Sequence, residues 1–203
     1  RGFDVTGIDP AYEGDNPKVV KDRFSREAGR QAEGLVLRHV LEHIPQPLDF
    51  LAELREANGG GGTIFIEVPC LDWISAHRAW FDIFYEHVNY FRLDDFRRMF
   101  GRVLESGHVF GGQYLYVVAD LASLRDPAAG GGVHFKFPSD FTASVARYAD
   151  QMRARQSAPG TAGSSVIWGG ASKGVIFSLF MQRAGAKVDC VGDINPAKQG
   201  RYL

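Results

Sequence analysis

The apolar positions along this chain change period several times, and each change marks an element. FDVTGIDP alternates into a short strand that ends at Ile8, Asp9 and Pro10. Polar residues dominate 11–33, where Val19 and Val20 with Phe24 suggest a second short strand and SREAGRQA a short helix. From Gly34 the pattern sharpens. Leu35 to Leu37 reads as a strand, followed by Arg38 and His39 and then a turn before Pro45 and Pro47. Pro47 suits the first turn of a helix, because the N–H it lacks would be unpaired there anyway. Leu48, Leu51 and Leu54 recur at helical spacing, and Asn58 with Gly59 to Gly62 ends that run. TIFIEVP, Thr63 to Pro69, is an apolar run of strand length suited to burial on both faces. Strand, helix and strand with short connections predict a βαβ unit.

Leu93, Phe96, Met99 and Phe100 predict a short amphipathic helix. VLESGHVF and QYLYVVADL flank Gly111 and Gly112, which predicts an antiparallel hairpin. Further on, SDFTASVARYADQMRAR sets Phe141, Val145, Tyr148 and Met152 along one helical face, with Ser139 as the expected N-cap. VIWGGASKG, an apolar helical run and KVDCVGDINPAKQGRYL follow. The fold class is α/β. The expected organisation is a first domain over 1–122, a linker over 123–138 and a second α/β domain over 139–203.

At 203 residues the chain can bury one large core, or one core plus a smaller domain. A net charge of -1 gives no reason to expect nucleic acid or an anionic membrane as partner. Cys70 and Cys190 lie far apart without metal-ligand spacing, which fits a reduced, cytoplasmic setting. No apolar run is long enough to span a bilayer, and no signal peptide is evident. The chain opens on Arg1 and reaches a strand almost at once, so a piece of a longer protein is expected.

Candidate chemistry gathers in FDIFYEHVNYF, Phe81 to Phe91, where Glu86 and His87 stand side by side among aromatic residues. An imidazole against a carboxylate is how proteins build a base that titrates near neutral pH. An ion pair beside ordinary core aromatics would read the same. Asp9, at a strand end, could accept both ribose hydroxyls of a nucleotide, or simply open a turn before Pro10. His39 and His43 are spaced i, i+4, but without a third ligand no metal site is expected. Gly169, Gly170 and Gly174 could cradle a phosphate with Lys173, or could serve a tight strand-to-helix turn. The loop is neither GxGxxG nor a P-loop.

Five blocks in order, GIDP, LRHVLEHIPQP, GGTIFIEVP, FYEHVNYF and GGQYLYVVAD, resemble the core of the sugar C-methyltransferase family, a class I S-adenosylmethionine-dependent fold read from its second strand onward. The C-terminal third, through KQGRYL, resembles that family's Rossmann-like C-terminal domain. The resemblance implies methylation of a carbon on a nucleotide-linked 4-keto deoxysugar. It also implies a glycine-rich cofactor loop and a zinc-binding domain upstream of Arg1.

By the same resemblance His87 is the base that makes the enolate, Glu86 orients it, and a nearby hydroxyl holds the keto oxygen. The family's tyrosine two residues before the Glu is replaced by Phe84, with Tyr85 one residue later. Asp9, Pro10, Arg38 and His39 would line the cofactor crevice. Asn89, Gly170, Ser172, Lys173 and Lys198 are the candidates for the substrate, with Arg201 a further contributor to its diphosphate. Three rivals stay open: an O- or N-methyltransferase, a nucleotide-sugar-binding protein without chemistry, and a nicotinamide-dependent oxidoreductase.

Overall fold

The computed structural model describes residues 4–25, 31–127, 135–158, 164–198 and 200. Two short parallel strands, β1 (Gly7–Ile8) and β2 (Val19–Val20), pair at the start. The main sheet has four strands in the order β3–β4–β6–β5, formed by β3 (Gly34–Arg38), β4 (Thr63–Pro69), β5 (Val103–Val109) and β6 (Tyr114–Asp120). β3 and β4 are parallel, with Leu35 opposite Ile64 and Arg38 opposite Glu67. β6 lies between β4 and β5 and is antiparallel to both, so three of the four strands run one way. The expected hairpin is this β5–β6 pair. Its turn takes in Phe110 as well as the two glycines, with Gly111 and Gly112 at φ 66° and 92°.

Helix α1 (Pro47–Ala57) starts at its proline and stops at Asn58, whose side chain holds Ala32 and Gly61. α2 (Leu71–Ala76) and α3 (Leu93–Met99) follow, and α3 opens with Asp95 accepting a bond from the Arg92 N–H. One core joins them: Leu41, Leu51, Leu54, Ile64, Ile66, Val68, Phe91, Phe96, Leu115 and Val117 are buried together. β4 is buried along almost its whole length, as its unbroken apolar run requires.

Helix α4 (Ser144–Gln156), with Ala143 at its N-cap, begins four residues later than expected. Ser139 is not its N-cap: Pro138 to Ala143 form tight turns, with Phe141 N–H bonded to the Pro138 carbonyl and Ala143 N–H to the Asp140 carbonyl. The apolar face is as read, since Phe141, Val145, Tyr148 and Met152 all pack on a second cluster around Trp80, Ala149, Met181 and Ala186. β7 (Val166–Trp168), α5 (Ser172–Arg183) and β8 (Cys190–Gly192) form a parallel βαβ unit. No helix among the described residues is long and apolar enough to cross a membrane. Parts of SREAGRQA, of the expected linker and of the KQGRYL ending, Arg201 included, lie outside the described residues.

Candidate active site

Two segments from different parts of the chain are clasped together at the C-terminal ends of β3 and β4. After Arg38, His39 takes a left-handed conformation at φ 54°, an uncommon state for a residue with a side chain. It turns the chain into a single 3-10 turn over Leu41–His43. The Phe84–Phe91 loop lies against that turn. The Asn89 N–H bonds the Glu42 carbonyl at 3.1 Å, and the Asn89 side-chain amide donates to the Ile44 carbonyl at 2.6 Å. His43 Nδ1 lies 2.8 Å from the Glu86 carbonyl. A carbonyl only accepts, so Nδ1 carries a proton and donates it.

The clasp sets the His43 and His87 rings edge to face, with centroids 4.9 Å apart, and Phe84 lies against His87 at 4.0 Å. Beneath them Glu42 is 1% exposed, and neither of its oxygens has a hydrogen-bond partner. The His39 ring stands beside it, with Nδ1 3.5 Å from Oε1. His39 Nε2 in turn lies 3.2 Å from Glu67 Oε1, and Arg38 holds that same oxygen at 3.0 Å. Carboxylates and imidazoles thus alternate from Arg38 inward to His87.

Burial pushes the Glu42 carboxyl above its usual range, with the nearby histidines pulling the other way. His87 is lowered to about 4, first by burial and then by the proximity of His43, against an opposing pull from Glu86. His87 is therefore neutral at pH 7. Its Nδ1 is buried without a partner, which leaves Nε2 as the nitrogen open to a ligand.

These side chains form one wall of a cavity of about 350 Å³. Lining it are His39, Glu42, His43, Phe84, His87 and Tyr114 on one side, and Trp168, Gly169, Ser172 and Lys173 on the other. The first βαβ region and the C-terminal one thus meet at the site. Asp82, 2% exposed, ties them together through an ion pair to Lys173 Nζ at 2.5 Å and a bond from Gln113 at 3.3 Å.

The candidates from the sequence fall on both sides of this boundary. His87, His39, Ser172 and Lys173 line the cavity. Glu86 gives its carbonyl to His43, and its carboxylate lies beside the Tyr85 hydroxyl, which it pushes up in pKa. Tyr85 itself is 86% exposed and outside the cavity, whereas Phe84 is inside it. Asn89 is occupied in the clasp. Arg38 is occupied with Glu67. Gly170 N–H is bonded to Asp193 at 2.8 Å, and Lys198 Nζ reaches both the Gly170 carbonyl and Asp193, so that part of the glycine loop closes on itself.

Four residues that line or support the cavity went unread in the sequence: Glu42, Asp82, Tyr114 and Trp168. Only Glu42 carried a signal, standing between His39 and His43 in HVLEH. It also supplies a third donor where the sequence offered two: Glu42, His43 and His87 bring one potential metal-ligand atom each to within 4.8 Å of one another.

Asp9 lies exposed just beyond β1, with Oδ1 accepting the Ala11 N–H at 2.8 Å. Pro10 continues that turn. No curated protein matches the chain. Among protein-family models, the one described as a methyltransferase domain matches residues 1–103, from β1 through both clasped segments to the start of β5. With a parallel βαβ unit closed by an inserted antiparallel strand, and that match over half its length, the chain belongs to the methyltransferase-domain family and is an S-adenosylmethionine-dependent methyltransferase.

Proposed function

We propose that the protein methylates a carbon next to the ketone of a nucleotide-linked 4-keto deoxysugar, with His87 as the base that makes the enolate. The observation that carries the reading is His87 itself: a neutral imidazole with Nδ1 turned into the protein, walled by Phe84, on a cavity shared with Lys173. Bound S-adenosylmethionine supplies an electrophilic methyl group. Every other part of the step belongs to this chain. His87 Nε2 takes the proton from the carbon beside the ketone, and the electron pair of that bond stays on the acceptor as an enolate. The Tyr114 side chain lines the same cavity, and its hydroxyl is the candidate to hold the keto oxygen as charge develops. Phe84, Tyr114 and Trp168 supply apolar wall, which strengthens each polar contact made inside it.

The sugar nucleotide enters this reading from the C-terminal side. Lys173 brings a cation to the cavity, shared with Asp82, and Trp168 is 78% exposed at the rim, a flat face for a base or sugar ring. The deciding experiment is calorimetry with S-adenosylhomocysteine and a thymidine diphosphate sugar, followed by product analysis on a 4-keto sugar. His87→Gln is expected to lose at least a thousandfold in turnover and to bind S-adenosylhomocysteine as the parent does. Loss of cofactor affinity in that variant would make His87 a cofactor residue and refute its role as base. Methyl transfer to a hydroxyl in place of carbon would refute the enolate.

A further inference from the structure

Glu42 is the least explained group in the protein. A buried carboxylate with two unpartnered oxygens is costly unless something shares its charge or its proton. One of the two His87 ring nitrogens lies within 4.8 Å of a Glu42 oxygen, and His87 Nδ1 is likewise buried without a partner. These three atoms are the only buried side-chain polar atoms without partners among the described residues, and they belong to one cluster. The sequence neighbour Glu86 has a different place. Its carboxylate attends the exposed Tyr85 while its charge is also felt by His87, and its carbonyl is the group bonded to His43.

We propose that Glu42, rather than Glu86, is the carboxylate that holds His87 for proton transfer, by accepting a hydrogen bond from the ring's buried Nδ1. The inference rests on His87 being the base. When Nε2 takes the acceptor's proton, the ring becomes an imidazolium, and Nδ1–H needs an acceptor on its inner side. Glu42 is the buried carboxylate of this cluster, and Asn89 fixes its backbone by holding both Glu42 and Ile44 through their carbonyls. The present separation exceeds hydrogen-bond length, as is common for catalytic pairs before substrate closes the site. Glu42 is then a positioning residue: it orients and stabilises His87 and does not touch the acceptor.

An ion shared by Glu42, His43 and His87 is the rival explanation. The spacing argues against it. Donors around tetrahedral zinc, with bonds of roughly 2.1 Å, stand about 3.4 Å apart, whereas these lie within a looser 4.8 Å. His39, bridging Glu42 and Glu67, also gives the cluster an internal cation whenever it is protonated.

The test separates base, positioning residue and bystander. With S-adenosylhomocysteine in place of the methyl donor, the full-length protein is incubated in deuterium oxide with a thymidine diphosphate 4-keto-6-deoxy sugar. Deuterium wash-in beside the ketone then reports proton abstraction alone. Glu42→Gln is expected to slow wash-in and kcat at least a hundredfold with KM within about threefold, and Glu42→Asp to recover part of the loss. Glu86→Gln is expected to stay within fivefold of the parent. The kcat profile of the parent should fall on the acid side as Glu42 gains its proton, ahead of the fall that His87 sets near pH 4, and Glu42→Gln should keep only the His87 fall. His43, His39, Glu86 and Lys173 also face His87, and they are unchanged in the comparison.

Should His87→Gln abolish exchange while Glu42→Gln matches the parent, the inference falls and the base stands. Exchange that survives in His87→Gln, or is absent in the parent, overturns both. A stoichiometric metal ion in the parent that Glu42→Gln and His43→Gln each lose would overturn the inference in favour of the ion.

Discussion

At the scale of single residues, the protonation of His87 is coupled to the stability of the fold. Its folded-state value of about 4 lies below the ordinary 6.5, so between those limits the unfolded chain binds more protons than the folded one. Stability should therefore fall as pH drops through that window. The ring is only half-buried, and allowing for water around it the loss is about 1–2 kcal/mol. Glu42 acts in the opposite sense, because its raised carboxyl favours the folded state as acid is added. Comparing urea unfolding of the parent with His87→Gln at pH 7 and pH 4.5 isolates the histidine. The variant should lose less on acidification, and parallel losses would show that His87 is not held neutral by the fold.

At the scale of elements, the site depends on two irregular segments held in register by a few hydrogen bonds. Removing the Asn89 amide takes away the bond to the Ile44 carbonyl and leaves that group to find water. Asn89→Ala should cost about 1–3 kcal/mol of stability. It should also lower kcat more than it alters S-adenosylhomocysteine affinity, read by calorimetry beside a steady-state assay. A kcat equal to the parent's would mean that the clasp does not set His87.

The clasp also explains what could be read in the sequence. Strands β3 and β6 and helix α1 were legible because burial imposes a period on them, β4 because its apolar run is unbroken, and proline and glycine mark several of their ends. His87 was legible from its aromatic surroundings. The buried Glu42 of the same cluster was not. Tyr85 and Glu86 sit in a turn closed by the His87 N–H on the Phe84 carbonyl, which leaves the Glu86 carboxylate beside the Tyr85 hydroxyl and buries His87 Nδ1. Glu42 comes from 45 positions earlier in the numbering, and its burial follows from the 3-10 turn after His39, whose left-handed backbone no local pattern announced. The delayed start of α4 has a similar cause: Arg78 pairs with Asp140 at 3.1 Å and fixes the turns that precede the helix.

At the scale of the whole molecule, the cavity exists because the C-terminal βαβ unit is seated on the Trp80–Asp82 turn of the N-terminal part. Trp80 is 2% exposed, lies 4.9 Å from the Phe180 ring and 5.5 Å from that of Phe177, and donates its indole N–H to Ser144 at 2.9 Å. Two residues on, Asp82 pairs with Lys173 at the start of α5. One turn therefore carries both an apolar anchor and an ionic one, and it positions Trp168, Ser172 and Lys173 opposite His87. Trp80→Ala would open a void among Phe81, Phe177 and Met181, at a cost of about 3–5 kcal/mol. The two cores differ in their dependence on this residue, since Leu51, Ile64, Ile66, Phe96 and Leu115 pack in a cluster without it. Hydrogen exchange on Trp80→Ala should show α4 and α5 losing protection while β3, β4 and β6 keep theirs, and affinity for a sugar nucleotide should fall further than affinity for S-adenosylhomocysteine. Uniform loss of protection would mean that the two cores unfold as one unit. Unchanged sugar-nucleotide binding would mean that the C-terminal wall of the cavity takes no part in holding substrate, which would remove the support that Lys173 and Trp168 lend to a nucleotide-linked acceptor.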